Sequence, residues 1–183
     1  MDEARDLIAR GINIDEQNKY GQTALMHAAM YNMLEIAQEL IRAGAALDLQ
    51  DKYGRTALTY AVTHKRLVLA QELIRAGAAL DLQDNNGYTA LMYAVLNDLA
   101  GIVQELIRAG AALGMQGREG ETALQIAREC GYTKIATLLR EAGARCPGYE
   151  RSGWFDSTCQ RCGGSKAGRW HEQASQANTP QNT

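Results

Sequence analysis

The sequence has few of the residues that mark secreted or membrane proteins. Its 183 residues include only four cysteines, one phenylalanine and two tryptophans. Three of the cysteines lie after residue 145, so they do not resemble the disulfide framework of a small secreted domain. No apolar run approaches the roughly 18 residues that a membrane-spanning helix needs. The acidic start of the chain has no apolar centre like that of a secretory signal, so we expect a cytoplasmic protein that does not contact a membrane.

Dense positive charge is also lacking, since the formal net charge is −2 at pH 7. Proteins that bind nucleic acid neutralise phosphates with clustered lysine and arginine, and we expect no nucleic-acid partner here. Catalytic patterns are missing as well. His27 and His64 have no acid or nucleophile at a recognisable spacing, and Cys130 is better explained as a small, partly buried apolar residue. We therefore expect no enzyme activity.

Repetition, by contrast, is abundant. Glycines recur every 33 residues, and each is followed two positions later by threonine and then by Ala-Leu; they are Gly21, Gly54, Gly87 and Gly120. A second motif, Gln-Glu-Leu-Ile-Arg-Ala-Gly-Ala, occupies 38–45, 71–78 and 104–111, with a looser copy at 137–144. Such spacing predicts an array in which each unit buries its apolar face against its neighbours.

The motif Gly-x-Thr-Ala-Leu-x-x-Ala, followed by an apolar helical pattern that ends in Gly-Ala, resembles the ankyrin repeat. The resemblance implies an all-α solenoid of stacked helix-turn-helix units with projecting β-hairpin loops. It departs from the family where alanine replaces the usual proline after threonine, and where the family histidine is absent. The predicted units are an N-terminal capping half-repeat at 1–17, repeats at about 18–50, 51–83, 84–116 and 117–145, a Cys/Trp-containing tail at 146–172, and a disordered end at 173–183.

Each predicted repeat contains signals for the start and end of its helices. Thr23 and its equivalents precede the first helix, where a threonine hydroxyl can accept a hydrogen bond from a free backbone N–H group. Gly44 and its equivalents follow the second helix, where glycine adopts a left-handed conformation. The family usually has glycine between the two helices as well. Of the four residues that occupy this position here, lysine is the least suited to a left-handed conformation. These residues are Asn32, Lys65, Asp98 and Gly131.

The spacing of apolar residues predicts the buried faces. In the first repeat these are Leu25, Ala28 and Ala29 on the first helix, with Ile36, Ala37, Leu40 and Ile41 on the second. Aspartates recur once per repeat between the units, which makes them hairpin and turn residues rather than paired catalytic carboxylates; they are Asp48, Asp51, Asp81 and Asp84. Gly114 and Gly117 interrupt this pattern before the fourth repeat, and we expect a looser hairpin there.

The residues that vary between repeats predict a binding surface. The resemblance implies that a partner protein contacts the hairpin tips and the inner face of the first helices. Tyrosine is common at these positions, as it is at binding hot spots. Tyr60 and Tyr93 either extend this aromatic surface or belong to the edge of the core. The predicted binding residues are Lys19, Tyr20, Gln22, Tyr31, Lys52, Tyr53, Arg55, His64, Asn85, Asn86, Tyr88, Asn97, Arg118 and Glu119.

The tail suggests another class of function. Cys159 and Cys162 form a Cys-x-x-Cys-Gly segment that can hold Zn²⁺, and Cys146 and His171 could complete four ligands. A flexible tail with unpaired thiols is the simpler interpretation, although Trp154 and other aromatic residues lie nearby. Two functions therefore stay open: a protein-binding adaptor without a cofactor, and a zinc-binding module carried by the repeats.

Overall fold

The computed structural model describes residues 13–145. Within that range eight helices follow one another in four pairs, which we call repeats one to four. First helices contact the first helices of neighbouring repeats, and second helices do the same, so the pairs form a stack. The helices are α1 (Ala24–Tyr31), α2 (Leu34–Arg42), α3 (Ala57–Thr63), α4 (Leu67–Arg75), α5 (Ala90–Leu96), α6 (Ala100–Arg108), α7 (Ala123–Glu129) and α8 (Thr133–Glu141). The predicted helical solenoid is confirmed.

Threonine begins the first helix of every pair, as predicted. In repeat one, the hydroxyl of Thr23 accepts a hydrogen bond from the backbone N–H of Met26 at 3.3 Å. The equivalent threonines of the other three repeats make the same bond. Before α7 the cap is reciprocal, because Gln125 Oε1 also accepts from the backbone N–H of Thr122 at 2.8 Å. These caps fix where each first helix starts.

Left-handed backbone ends both helices of each pair. Gly44, with φ of 82°, follows α2, and its N–H donates to the carbonyl of Ile41 at 3.0 Å. The turn between the helices is left-handed in all four repeats, including repeat two, where Lys65 has φ of 58°. Because this lysine has a Cβ that opposes such a conformation, its position is less comfortable than that of Gly131.

The core consists of small and aliphatic side chains packed between neighbouring repeats. Leu25, Ala28 and Ala29 are buried, as predicted, and so are the equivalent residues of later repeats except Arg128, which is half-buried. The prediction for Ile36 is wrong, since 39% of this side chain is exposed. Its equivalents are Leu69, Ile102 and Ile135, and all three are buried. Each of those three lies on a second helix that contacts the second helix of the preceding repeat, whereas residues 1–12, which precede repeat one, lie outside the described residues.

Short hairpin-like loops project from the stack between repeats. Each has one backbone hydrogen bond across its base, such as that from the N–H of Asp51 to the carbonyl of Arg55 at 3.0 Å, and a second inside the turn, such as that from the N–H of Gly54 to the carbonyl of Asp51 at 2.9 Å. This pairing is too short to form a β-strand, and residues 13–145 contain none. The loops are therefore turns held by side chains rather than regular β-hairpins.

Two rows of side chains connect one loop to the next. Gln50 Nε2 donates to the carbonyl of Gly54 at 2.6 Å and to the carbonyl of Gln83 at 3.0 Å, and Gln17 and Gln83 make the equivalent pairs of bonds. Asp48 Oδ1 accepts from the backbone N–H of Ala79 at 2.8 Å. The bonds of Asp15 and Asp81 repeat this pattern, and together the two rows keep the loops in register.

Candidate protein-binding surface

The tips of the loops form a continuous row along the stack. We number the five residues of each tip from one to five, as in 18–22, 51–55, 84–88 and 117–121. Backbone bonds join each tip to the next, from the N–H of Lys52 to the carbonyl of Tyr20 at 3.0 Å and from the N–H of Asn85 to the carbonyl of Tyr53 at 2.8 Å. A third bond joins tips three and four. The tips therefore present their side chains at fixed spacings.

A buried aspartate organises the tip of repeat two. Asp51 Oδ1 accepts from the backbone N–H groups of Tyr53 and Arg55 at 2.9 and 2.8 Å. Its Oδ2 accepts from the hydroxyl of Tyr60 at 2.7 Å and forms an ion pair with Arg55 at 3.2 Å. Burial and the bond to Asp51 raise the pKa of Tyr60 above its usual value, so its hydroxyl stays protonated as a donor. The tip is thereby bonded to helix α3.

Stacked side chains connect this tip to the end of α3. The Arg55 guanidinium lies 4.7 Å from the centre of the Tyr53 ring and 4.5 Å from that of Tyr60. The Tyr60 ring stacks in turn on His64 at 5.9 Å, and His64 Nδ1 lies 3.0 Å from the carbonyl of Tyr60. We call Tyr53, Arg55, Tyr60 and His64 the repeat-two stack. Tyr53 is 39% exposed, whereas Tyr60, whose ring lies against Arg55, is buried.

Repeat one has a related arrangement that is less tightly bonded. The Lys19 ammonium lies 4.9 Å from the centre of the Tyr20 ring, and the rings of His27 and Tyr31 stack at 6.0 Å. Tyr31 is 49% exposed. The two repeats are connected, because Gln22 Nε2 donates to the hydroxyl of Tyr60 at 2.9 Å. Repeats one and two thus share one surface of aromatic and basic side chains.

Tyr88 does not belong to this surface, and its prediction as a surface residue is wrong. Only 2% of it is exposed. Its ring packs edge-on against Tyr93 at 5.6 Å, and its hydroxyl is hydrogen-bonded to the carboxylate of Glu121. Burial and that bond raise the pKa of Tyr88 well above its usual value. Gly117 allows this arrangement, because the Glu121 carboxylate fills the space where a Cβ at position 117 would lie.

Tyr60 and Tyr93 belong to the core rather than to the aromatic surface, since both are buried. The Tyr93 hydroxyl donates to Asp84 Oδ2 at 2.6 Å, just as Tyr60 donates to Asp51. Both residues position the tips rather than face a partner. The aspartates are turn residues as predicted, because Asp84 Oδ1 also accepts from two backbone N–H groups of its own tip.

The remaining predicted residues lie at or near the surface of repeats three and four. Asn85, Asn86, Arg118 and Glu119 are exposed at the tips. Asn97 is half-buried, and its Nδ2 donates to the carbonyl of Tyr93 at 3.0 Å, the bond that His64 makes in repeat two. These residues offer amide groups and both signs of charge.

The sequence-based prediction missed two basic residues beside the repeat-two stack. Lys65 is exposed and follows His64 directly. Arg66 reaches back to repeat one, where its Nη2 lies 3.5 Å from the carbonyl of Met30. The signal for Lys65 was present, since lysine stands where glycine is usual. The position of Arg66 depends on packing between repeats, which the local sequence does not reveal.

Residues 13–145 contain no cluster of three or more His, Cys, Asp or Glu side chains that could hold a metal ion. The predicted zinc ligands Cys146, Cys159, Cys162 and His171 lie outside this range, as do most of the N-terminal cap and the predicted disordered end. Across the described part of the chain, no helix is long and apolar enough to cross a membrane.

Comparison with known families agrees with the helical stack. The sequence model described as ankyrin repeats (3 copies) matches residues 2–84 and 64–147. These matches cover most of the chain, which therefore belongs to the ankyrin-repeat family. The family is typically a non-enzymatic scaffold for protein–protein interaction. A comparison with curated proteins gives no match.

Proposed function

We propose that this protein is a non-enzymatic cytoplasmic adaptor that binds a partner protein across the tips and first helices of repeats one and two. The observation that carries the proposal is the repeat-two stack. It holds an exposed tyrosine over an arginine that is itself fixed by a buried aspartate. Tyrosine and arginine are the residues most enriched at binding hot spots.

The same contacts reduce the entropic cost of binding. Side chains that are immobile before association lose less freedom when a partner arrives. Arg55 is held by both Asp51 and two aromatic rings, and Tyr53 lies against Arg55. In repeat one, Tyr31 adds a second exposed ring. A partner could therefore bury two aromatic faces that are already oriented.

The test is affinity capture from cell lysate with matched pairs of variants. The first variant combines Tyr31→Ala with Tyr53→Ala and removes the exposed rings of the proposed surface. The control combines Leu67→Ala with Val68→Ala on α4, where 47% and 55% of the side chains are exposed. Both variants lose exposed apolar area, so each should keep a melting temperature close to that of the wild type.

A partner that the wild type and the α4 variant capture, and that the tyrosine variant loses, supports the proposal. Equal capture by both variants contradicts it. A third variant, Cys159→Ser with Cys162→Ser, tests the zinc alternative in the full chain. If that variant loses both bound zinc and the partner, the tail rather than the repeats carries the specific function.

A further inference from the structure

Exposed charges are unevenly distributed along the candidate surface. Repeats one and two present exposed lysines at tip position two, Lys19 and Lys52, and a third in the turn between helices, Lys65. The turn of repeat three presents Asp98 instead, and Arg118 of tip four has Glu119 beside it. The surface is therefore positive at its N-terminal half, although the whole chain has a net charge of −2.

The positive half keeps most of its charge. Arg55 is neutralised by Asp51, but the hydrogen bond of Arg66 is to the carbonyl of Met30, which carries no formal charge. Burial lowers the pKa of His64, and the nearby Arg66 and Arg55 guanidinium groups lower it further, against the raising effect of the bond to the Tyr60 carbonyl. Burial is the main cause of this lowered pKa, and the two guanidinium groups add a smaller positive contribution to the potential at the end of α3.

Lys65 occupies a costly backbone position. Its φ of 58° is left-handed, and the other three repeats meet the same requirement with Asn32, Asp98 and Gly131. Asparagine, aspartate and glycine adopt this conformation at less cost than lysine does. Strained backbone positions cluster at functional sites, so the cation at this position is a candidate for a functional charge.

We propose that the segment of the partner that docks on repeats one and two is an acidic stretch of polypeptide. Its carboxylates would lie against Lys19, Lys52 and Lys65, while its apolar side chains pack on the exposed rings of Tyr31 and Tyr53. This inference rests on the proposed function and adds the chemistry of the partner. A few separated lysines suit a peptide better than a nucleic acid, whose phosphates require denser positive charge.

The test uses defined probes with the full-length protein. A fluorescein-labelled random copolymer of glutamate and tyrosine is titrated and followed by anisotropy, with a lysine–tyrosine copolymer as the charge-reversed probe. The test variant combines Lys52→Asn with Lys65→Asn. Asparagine already occupies the equivalent positions, Asn85 in tip three and Asn32 in repeat one, so the fold should tolerate both changes. The control, Lys134→Asn with Arg140→Asn, removes the same charge from the exposed side of α8.

We expect saturable binding of the glutamate copolymer that weakens as salt is added. The double lysine variant should bind about tenfold more weakly, since each exposed ion pair contributes modestly, and the α8 control should bind as the wild type does. Three outcomes would overturn the inference. The lysine copolymer could bind more tightly than the glutamate copolymer, or the two variants could lose the same affinity. The third is that a thymidine 20-mer displaces the labelled probe fully at a lower concentration than unlabelled glutamate copolymer does. If the copolymer fails while partner capture still requires Tyr31 and Tyr53, the acidic partner is refuted and the proposed adaptor function stands.

Discussion

Tip two and tip three each contain a tyrosine, but the two side chains have opposite locations. Tyr53, at tip position three, is 39% exposed, whereas Tyr88, at position five, is almost wholly buried. Position five faces the first helix, because Gln22 and Arg55 at that position also contact Tyr60. Position within a tip, rather than residue type, therefore decides whether a tyrosine can reach a partner.

The tips also differ in the source of their buried carboxylate. Asp51 and Asp84 supply it from position one and hold the hydroxyl of a tyrosine on the first helix. In tip four, position one is Gly117, and Glu121 at position five supplies the carboxylate instead. Glu121 replaces the aspartate only in part, because its Oε2 is buried without a hydrogen-bond partner in the described part of the chain. Unpaired buried oxygens destabilise a fold.

The largest expected effect on stability comes from removing Tyr88, and removing Tyr53 is the comparison. Tyr88→Ala should lower the free energy of unfolding by about 3–5 kcal/mol, because it leaves a cavity against Tyr93 and removes the hydroxyl that bonds Glu121. Tyr53→Ala, the matched control, should change the free energy of unfolding by less than about 1 kcal/mol because the ring is partly solvated. Urea unfolding followed by circular dichroism measures both. Equal destabilisation would remove the distinction between tip positions three and five.

Features that depend on local residues could be predicted from the sequence, and features that depend on contacts between repeats could not. Repetition made the helices, the Thr23 cap and the Gly44 terminus predictable, since each signal is local and occurs four times. Burial of Tyr88 was not predictable, because it depends on Glu121 in the next repeat and on the missing side chain of Gly117. The prediction for Ile36 was wrong for a related reason. Its local pattern is that of its buried equivalents, but its exposure depends on what packs against repeat one. Local signals specify elements, whereas contacts between repeats decide exposure.

A smaller effect should follow from giving tip four the carboxylate of tip two. Gly117→Asp alone places a second carboxylate beside Glu121 and displaces it from Tyr88, so we expect a loss of about 1–2 kcal/mol in the free energy of unfolding. Adding Glu121→Arg recreates the Asp51–Arg55 ion pair of tip two. The loss of stability in the double variant should therefore be smaller than the sum of the losses in Gly117→Asp and Glu121→Arg, by an interaction energy of about 1 kcal/mol.

A double-mutant cycle by urea unfolding measures this interaction. Glu121→Arg alone is the required third member, because it removes the bond to Tyr88 without supplying a new acceptor at position 117. Additive changes across the cycle would mean that tip four cannot adopt the arrangement of tip two, and that Gly117 and Glu121 are not a compensating pair.

The smallest predicted change concerns the row of aspartates that connects successive loops. Asp15, Asp48 and Asp81 each accept a backbone hydrogen bond at 2.8 Å from an alanine 31 residues later, but the equivalent position before repeat four is Gly114. Gly114 has no neighbouring atom within 4 Å of an added Cβ and does not have positive φ, so a side chain fits there. Gly114→Asp should therefore bond the backbone N–H of Arg145 and tighten the hairpin predicted to be loose.

This added bond should raise the free energy of unfolding by about 1 kcal/mol. Part of any gain would come from lower entropy of the unfolded chain, because every replacement of glycine has that effect. Gly114→Ala separates the two contributions, since it restricts the unfolded chain without adding an acceptor. The new bond is identified if Gly114→Asp stabilises the protein more than Gly114→Ala does and if amide hydrogen exchange at Arg145 becomes slower. Equal stabilisation by both variants would show that the fourth repeat is held by its helix contacts alone and gains nothing from the carboxylate.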